Sequence, residues 1–249
     1  MTHKLAADRA KIRLYVEYDL AADGVVGLKA SQAHYLRSVL RLTPGDQVVL
    51  FNGRDGEWWA RIDGISKGWA SLKLMEQSRP QIPETDIWLL FAPVKGGRIN
   101  YLVQKTTELG VSALLPITTK RTVVDRVNLV RLGATAAEAA EQCRRLTVPE
   151  LHSVRPLNNV LESWPHGRRL LFCDEAGAPP PQTALANPDP GPWAILIGPE
   201  GGFNPSEREL LRRQSFVVPM FLGPRILRTE TAAAAALSIW QALAGDNRA

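Results

Sequence analysis

Two glycine-bearing turns near the C-terminus decide how this chain is interpreted: Ile197-Gly198-Pro199-Glu200-Gly201-Gly202-Phe203 and Leu222-Gly223-Pro224-Arg225-Ile226-Leu227-Arg228. Each turn follows an apolar run that is typical of a buried strand and precedes a sequence that is typical of a helix. Glycine can adopt positive φ and lets a ligand approach the main chain closely. Two such turns within about thirty residues therefore predict a pocket whose walls are largely backbone.

The helix after the first turn has a clear start. Asn204 is placed as the N-cap, Pro205 as the first helical residue, and Glu207 where it closes a capping box. Glycines alone would be weak evidence, because Gly-Pro and Gly-Gly mark turns in many α/β proteins. Neither turn has the Lys-Ser/Thr of a Walker loop or the Gly-x-Gly-x-x-Gly spacing of a dinucleotide site, so neither indicates a known phosphate cradle.

The two turns resemble the cofactor loops of the SPOUT class of RNA methyltransferases. They are most similar to those of the RsmE family, which methylates N3 of a uridine in small-subunit ribosomal RNA. Lys95, Arg98 and the stretch Gln104-Lys105-Thr106-Thr107-Glu108-Leu109-Gly110 match a second pattern of that family, and Glu141-Gln142-Cys143-Arg144-Arg145 resembles a third.

The chain departs from the family pattern at three positions. Pro224 stands where relatives often have a small or polar residue, Asn100 where an acidic residue is common, and Cys143 where serine is usual. The resemblance covers nearly the whole chain and is most specific in its C-terminal third.

The resemblance implies an α/β SPOUT-type domain with a mainly parallel sheet and a C-terminal trefoil knot, preceded by a small PUA-like β-barrel. It also implies a homodimer that binds S-adenosyl-L-methionine and acts on ribosomal RNA or the small ribosomal subunit. The expected cofactor-binding residues are those of the two turns and of the strand end before them: Cys173, Asp174, Ile197, Gly198, Glu200, Gly201, Gly202, Leu222, Gly223, Arg225, Ile226 and Leu227.

Catalysis must activate uracil N3, which is a poor nucleophile while protonated. We hypothesise that Arg228 stabilises the developing negative charge on a uracil oxygen. Glu230 or Glu141 would orient the base or accept the proton. Either glutamate would alternatively be a structural cap or a surface charge.

Residues 12–78 are typical of a small β-rich module, with alternating strands and an Asn52-Gly53 hairpin signal. A short helix is expected from Ser31 to Val39. Prolines among polar residues predict a linker, so the expected domains are residues 1–78, a linker at 79–86 and a methyltransferase domain at 87–249.

The second domain alternates strands and helices, which predicts a mainly parallel sheet with ligands beyond the carboxyl ends of its strands. The expected elements are strands at Ile87–Ala92, Val111–Pro116 and Leu170–Cys173, helices at Arg98–Leu109 and Leu132–Leu146, an irregular mobile loop at Ala176–Pro192, and a final helix that begins with Thr229 as its N-cap.

Basic and aromatic residues recur through both domains and suit phosphate and base contacts. The candidates for RNA binding are Arg9, Arg13, His34, Tyr35, Arg37, Lys95, Arg98, Lys105 and Arg121. For any single one of them, a solvated surface charge is the simpler alternative.

Composition is that of a globular protein, and its moderate basic excess permits a polyanionic partner without requiring one. The 249 residues are 45% hydrophobic and carry a formal net charge of +5. The two cysteines lie in apolar patterns without metal-ligand spacing, so no metal site is expected. No run is long enough for a membrane span, and Met1–Lys11 lacks an apolar signal core, which predicts a cytoplasmic protein.

Three competing functions remain open from sequence. A SPOUT enzyme for another RNA nucleotide would share the cofactor loops, but the N-terminal module and the Gln-Lys-x-x-Glu-Leu-Gly pattern argue against it. A non-catalytic RNA-binding protein would not need both glycine turns. An unrelated α/β nucleotide-binding enzyme is disfavoured because the phosphate motifs are missing.

Overall fold

The computed structural model describes residues 12–189 and 191–246. They form two compact units: one comprises the described residues up to Pro83 together with Ala140–Val148, and the other comprises Glu84–Ala139 together with the described residues from Pro149 onward. No helix among these described residues is long and apolar enough to cross a membrane.

The first unit is built on a five-stranded sheet with the order β1-β3-β4-β5-β2. Strands β1 and β3 are parallel neighbours, and the other neighbouring pairs are antiparallel. Apolar side chains that alternate along these strands fill the core. The bounds are β1 Arg13–Tyr15, β2 Val25–Leu28, β3 Gln47–Phe51, β4 Glu57–Ser66 and β5 Trp69–Arg79.

The Asn-Gly hairpin between β3 and β4 is confirmed. The Asn52 side-chain oxygen accepts hydrogen bonds from the Arg54 and Asp55 amides, at 2.9 and 2.8 Å, and Gly53 has φ +79°. Gly56 is also required, since a Cβ there would lie 2.3 Å from the Arg79 carbonyl oxygen.

The helix expected from Ser31 to Val39 is two structures instead. Helix α1 spans Ala30–His34, and a π-helical turn spans Tyr35–Val39. In this turn the Leu40 amide donates to the carbonyl of Tyr35, five residues back, at 3.0 Å. The wider turn buries Leu36 completely while leaving Tyr35 and Val39 exposed.

The second unit contains a seven-stranded sheet whose main order is β12-β10-β11-β6-β7-β8, with β9 paired to β7. Every pair is parallel, as the sequence predicted. The strands are β6 Ile87–Phe91, β7 Ala113–Thr118, β8 Glu150–Leu151, β9 Arg155–Pro156, β10 Arg169–Cys173, β11 Trp193–Ile197 and β12 Val217–Met220.

Helices connect these strands. The helix expected at about Leu132–Leu146 is confirmed with bounds three residues earlier, Leu129 to Cys143, and Arg144 adopts φ +64° directly after it. The prediction that Ala176–Pro192 is irregular was wrong, because this stretch contains a short helix. The helices are α2 Arg98–Glu108, α3 Leu129–Cys143, α4 Leu157–Glu162, α5 Pro181–Ala184, α6 Pro205–Arg212 and α7 Thr229–Leu243.

Candidate functional site

A cleft lies at the carboxyl ends of β10, β11 and β12. These strands are parallel neighbours, so their ends and the loops that follow them meet at one edge of the sheet. The lining comes from the two glycine turns, the end of β10 and the starts of α6 and α7: Cys173, Asp174, Glu175, Ile197, Gly198, Pro199, Gly202, Phe203, Arg208, Phe221, Leu222, Gly223, Arg225, Ile226, Leu227, Thr229 and Ala232.

The first glycine turn is shaped by the packing of Phe203. A Cβ at Gly198 would lie 2.5 Å from the Phe203 ring, so only glycine lets that ring pack beneath the turn. Phe203 in turn makes an edge-on contact with Phe172 of β10, with ring centroids 5.1 Å apart. Gly202 adopts φ +66° and its amide donates to the Pro199 carbonyl at 2.8 Å.

The capping box after this turn is confirmed. The Glu207 amide donates to the Asn204 side chain at 2.8 Å, and the Asn204 amide donates to Glu207 Oε2 at 3.0 Å. The second carboxylate oxygen of Glu207 accepts from the Lys120 amide at 2.7 Å. One buried glutamate therefore fixes both the start of α6 and the loop after β7.

The second glycine turn is open around Gly223, which lines the cleft. Gly223 adopts φ +110°, and a Cβ built there would meet nothing within 4 Å. The Thr229 hydroxyl donates to the Gly198 carbonyl at 3.2 Å and so links the two turns. The expectation that Thr229 is the N-cap was wrong: Arg228 is the N-cap residue, with no side-chain cap bond, and Thr229 is the first helical residue.

Charged groups surround the end of β10. Asp174 is buried, and its carboxylate accepts from the Ala176 amide at 3.1 Å and from Arg212 Nη2 at 2.5 Å. Arg208 Nε lies 3.3 Å from the same carboxylate. Burial raises the pKa of the neighbouring Cys173 thiol well above its ordinary value, so this side chain is a neutral packing surface rather than a nucleophile.

Comparisons with known proteins agree with this geometry. A model of the RNA methyltransferase domain matches residues 81–241, and a model of the RNA methyltransferase PUA domain matches residues 28–75. Ribosomal RNA small subunit methyltransferase E from Rickettsia conorii is 32% identical over 232 residues, which is 91% of this chain and 93% of the relative. The chain belongs to this methyltransferase family.

Solved structures of relatives have the same fold. The crystal structure of ribosomal RNA small subunit methyltransferase E from Neisseria gonorrhoeae, bound to S-adenosyl methionine, has a TM-score of 0.85 and 28% identity and covers 93% of this chain and 97% of its own. A Legionella pneumophila methyltransferase with the same cofactor has a TM-score of 0.83 and 31% identity over 93% of this chain and 97% of its own. The PUA domain and the methyltransferase domain expected from sequence are confirmed, and the trefoil knot stays a prediction.

Most of the expected cofactor residues of this family member lie together on the cleft wall, and two do not. Glu200 and Gly201 are absent from the lining and contact basic residues instead. The Glu200 carboxylate pairs with Arg98, and the Gly201 carbonyl accepts from Arg121 Nη1 at 2.7 Å. These two arginines were expected to bind RNA, and in the structure both contact the glycine turn.

Sequence reasoning missed several lining residues of the cleft. Phe203, Arg208 and Thr229 reach it from the turn or from the starts of α6 and α7. The signal for Arg208 was available: Asp174-Glu175 follows a buried strand, and Arg208 and Arg212 are spaced i, i+4 on a helix that starts beside the same sheet edge.

The proposed catalytic residues differ in their surroundings. Arg228 is exposed, and no hydrogen bond or ion pair involves its guanidinium within the described part of the chain. Glu230 is 7% exposed, and its Oε2 has no hydrogen-bond partner among the described residues. Glu141 falls in the first unit, where its carboxylate accepts from the Tyr15 amide at 2.9 Å.

The RNA-binding candidates of the first unit also divide into two kinds. His34, Tyr35 and Arg37 are exposed around the π-helical turn. Arg13 is buried and donates to Glu57 Oε2 at 2.7 Å and, through its other two nitrogens, to carbonyls of residues 140, 141 and 145. Arg9 lies outside the described residues. In the second unit, Lys95 is exposed and Lys105 pairs with Glu108 at 2.9 Å.

Proposed function

We propose that this protein uses S-adenosylmethionine to methylate N3 of a uridine in 16S ribosomal RNA. Family membership supports the reaction. The observation in this chain that carries the proposal is the cleft formed by the two glycine turns at the carboxyl ends of three parallel strands.

The residues of this cleft suit the cofactor. Gly223 combines positive φ with open space where a side chain would be, so a ligand can lie directly against the main chain. Ile197, Leu222 and Leu227 offer apolar surface for an adenosyl group, as ligand sites usually do. When bound, S-adenosylmethionine supplies a methyl group already activated by the sulfonium.

The chain's own residues must then orient the uracil and handle its proton. Among the described residues, the Arg228 guanidinium at the start of α7 makes no hydrogen bond, which suits stabilisation of negative charge on a uracil oxygen. Glu230 lies two residues further on, and its Oε2 accepts no hydrogen bond from the described part of the chain, which suits acceptance of the N3 proton. Glu141 is the alternative base. N3 lies on the pairing edge of the base, so the target uridine must be unpaired or extruded.

Exposed cations and aromatics would hold the RNA. We assign base and phosphate contacts to His34, Tyr35 and Arg37 in the first unit and phosphate contacts to Lys95 and Lys105 in the second. Arg13 is omitted because its guanidinium is buried and fully bonded. Arg98 and Arg121 each contact the glycine turn through Nη1, which leaves their other guanidinium donors for phosphate.

The domain boundaries at 78 and 86 and a cytoplasmic homodimer are part of the same proposal. The dimer rests on the family resemblance alone, and the location rests on the sequence, which has no apolar signal core in Met1–Lys11 and no run long enough for a membrane span. Sedimentation of the purified protein and fractionation of cells would test them.

The decisive experiment incubates purified protein with tritiated S-adenosylmethionine and small ribosomal subunits from a strain that lacks the gene, and then separates the nucleosides. We expect the label in N3-methyluridine. Label in another nucleoside would support methyltransferase activity and contradict the proposed target. No label with calorimetric cofactor binding would point to other RNAs, and no binding would favour a non-catalytic RNA-binding protein.

A further inference from the structure

A carboxylate and a guanidinium stand together on the cleft wall. Glu175, just after β10, accepts a hydrogen bond from Arg208 Nη2 of α6 at 2.8 Å. Both residues line the cleft. Their side chains are 58% and 23% exposed, so the pair is reachable from the cleft rather than sealed in the core.

Arg208 retains bonding capacity in this arrangement. A guanidinium offers five N–H donors, and among the described residues the Arg208 side chain makes one hydrogen bond, from Nη2 to Glu175 Oε1. Its Nε is buried and faces Asp174 Oδ1 at 3.3 Å. The donors left for a ligand carboxylate are therefore those of the two terminal nitrogens.

Asp174 is not available for the same purpose. Its side chain is fully buried, and its two oxygens already accept from Arg212 and from the Ala176 amide. Glu175 is therefore the exposed carboxylate on this wall. It is also held close to the first glycine turn, since a Cβ at Gly202 would lie 2.8 Å from Glu175 Oε1.

The exposed acid and base are complementary to a zwitterion, whereas Ile197, Leu222 and Leu227 are apolar. S-adenosylmethionine has the same division, with an adenosyl end and an amino-acid end that carries an α-ammonium and an α-carboxylate. We propose, resting on the function proposed above, that this pair binds the amino-acid end of the cofactor. Glu175 takes the α-ammonium and Arg208 takes the α-carboxylate.

Two ligands isolate this contribution. S-adenosylhomocysteine and 5′-methylthioadenosine are both thioethers of adenosine without a charge on sulfur, and only the first has the zwitterionic amino-acid end. Calorimetry should show that the wild-type protein binds S-adenosylhomocysteine at least about tenfold more tightly, as charge-assisted hydrogen bonds require. Arg208→Gln and Glu175→Gln should each remove most of that preference and change 5′-methylthioadenosine affinity less than about twofold.

The chain provides a matched control on the same helix. Arg213 and Glu209 form an exposed ion pair that does not line the cleft. Arg213→Gln should leave the affinities of both ligands unchanged. Arg208→Lys, which keeps the charge but loses the planar fork, should restore part of the preference.

Three results would overturn the proposal. Equal weakening of both ligands by Arg208→Gln would mean that Arg208 only shapes the cleft. A wild-type protein that binds the two ligands equally would have no amino-acid site, while its cofactor cleft and the proposed function would stand. A wild-type protein that binds neither ligand would contradict the proposed function itself.

Discussion

Two arginine–carboxylate clusters of this protein are similar in composition and differ in how many guanidinium donors remain without a hydrogen bond. In the first unit, Glu57 accepts hydrogen bonds from Arg13 at 2.7 Å and from Arg79 at 2.9 Å. The other two guanidinium nitrogens of Arg13 donate to main-chain carbonyls. In the second unit, Arg208 lies between Asp174 and Glu175, and among the described residues its side chain makes one hydrogen bond, from Nη2 to Glu175. A fully bonded cluster indicates a structural role, and spare donors beside a cleft indicate ligand binding.

The largest expected effect is a loss of stability when the cluster of the first unit is disrupted. Glu57→Gln leaves the buried Arg13 guanidinium without its anionic partner, which should lower the free energy of unfolding by about 3 kcal/mol or more. Urea denaturation followed by circular dichroism measures this loss. Glu17→Gln is the control, because its 2.7 Å pair with Lys29 is exposed and should contribute less than about 1 kcal/mol.

The pH dependence gives a second check on Glu57. Burial opposes ionisation of this carboxylate, but Arg13, Arg79 and Ser78 outweigh it and hold the pKa of Glu57 below its ordinary value of 4.5. Its contribution is therefore present at neutral pH and is lost as pH falls below about 4.5. The stability gap between wild type and Glu57→Gln should narrow over that range, and a constant gap would contradict a charge-based role.

Arg228 extends the comparison to an arginine with no partner among the described residues. Arg228→Ala should slow single-turnover methylation about 100-fold, the usual effect of losing one donor to a developing oxyanion. Cofactor affinity measured by calorimetry should stay within about threefold, because binding and catalysis use different residues. Lost cofactor binding with retained turnover would refute the assignment.

The features that sequence predicted well are determined locally. The capping box of Asn204 and Glu207 and the Asn52-Gly53 hairpin depend on residues within four positions of one another, and the structure contains both. The alternation of apolar strands with helices likewise predicted the parallel sheet and the edge at which the cleft lies.

The features that sequence missed depend on residues far apart in the chain. Arg13 looked like a surface cation, and its burial depends on distant partners, namely Glu57, 44 residues away, and main-chain carbonyls 127 to 132 residues away. Arg212 reaches Asp174 across 38 positions because β10 and the strand before α6 are neighbours in the sheet. The π-helical turn is accompanied by complete burial of Leu36, and helical periodicity alone specifies neither of them.

A substitution in the first glycine turn tests whether cofactor binding requires Glu175 to lie close to the main chain. Gly202→Ala puts a Cβ on a residue with φ +66° and 2.8 Å from Glu175 Oε1, so cofactor binding should weaken by about 1–2 kcal/mol, roughly tenfold. Gly201→Ala is the matched control. Its Cβ would lie an ordinary 3.6 Å from Arg121 and its φ is not positive, so affinity should change little. Equal losses in both variants would mean that the turn tolerates no side chain at all.

The smallest expected effect concerns the capping box at the start of α6, whose residues do not line the cleft. Asn204→Ala removes the acceptor for the Glu207 amide and should cost about 1 kcal/mol of stability, whereas Asn204→Asp keeps an acceptor and should cost less. Glu207 also holds the Lys120 amide, so hydrogen exchange should quicken at Glu207 and at Lys120 in the alanine variant. Faster exchange at Glu207 alone would show that the loop after β7 keeps its position without the capping box, because the Arg121 bond to Gly201 would then suffice.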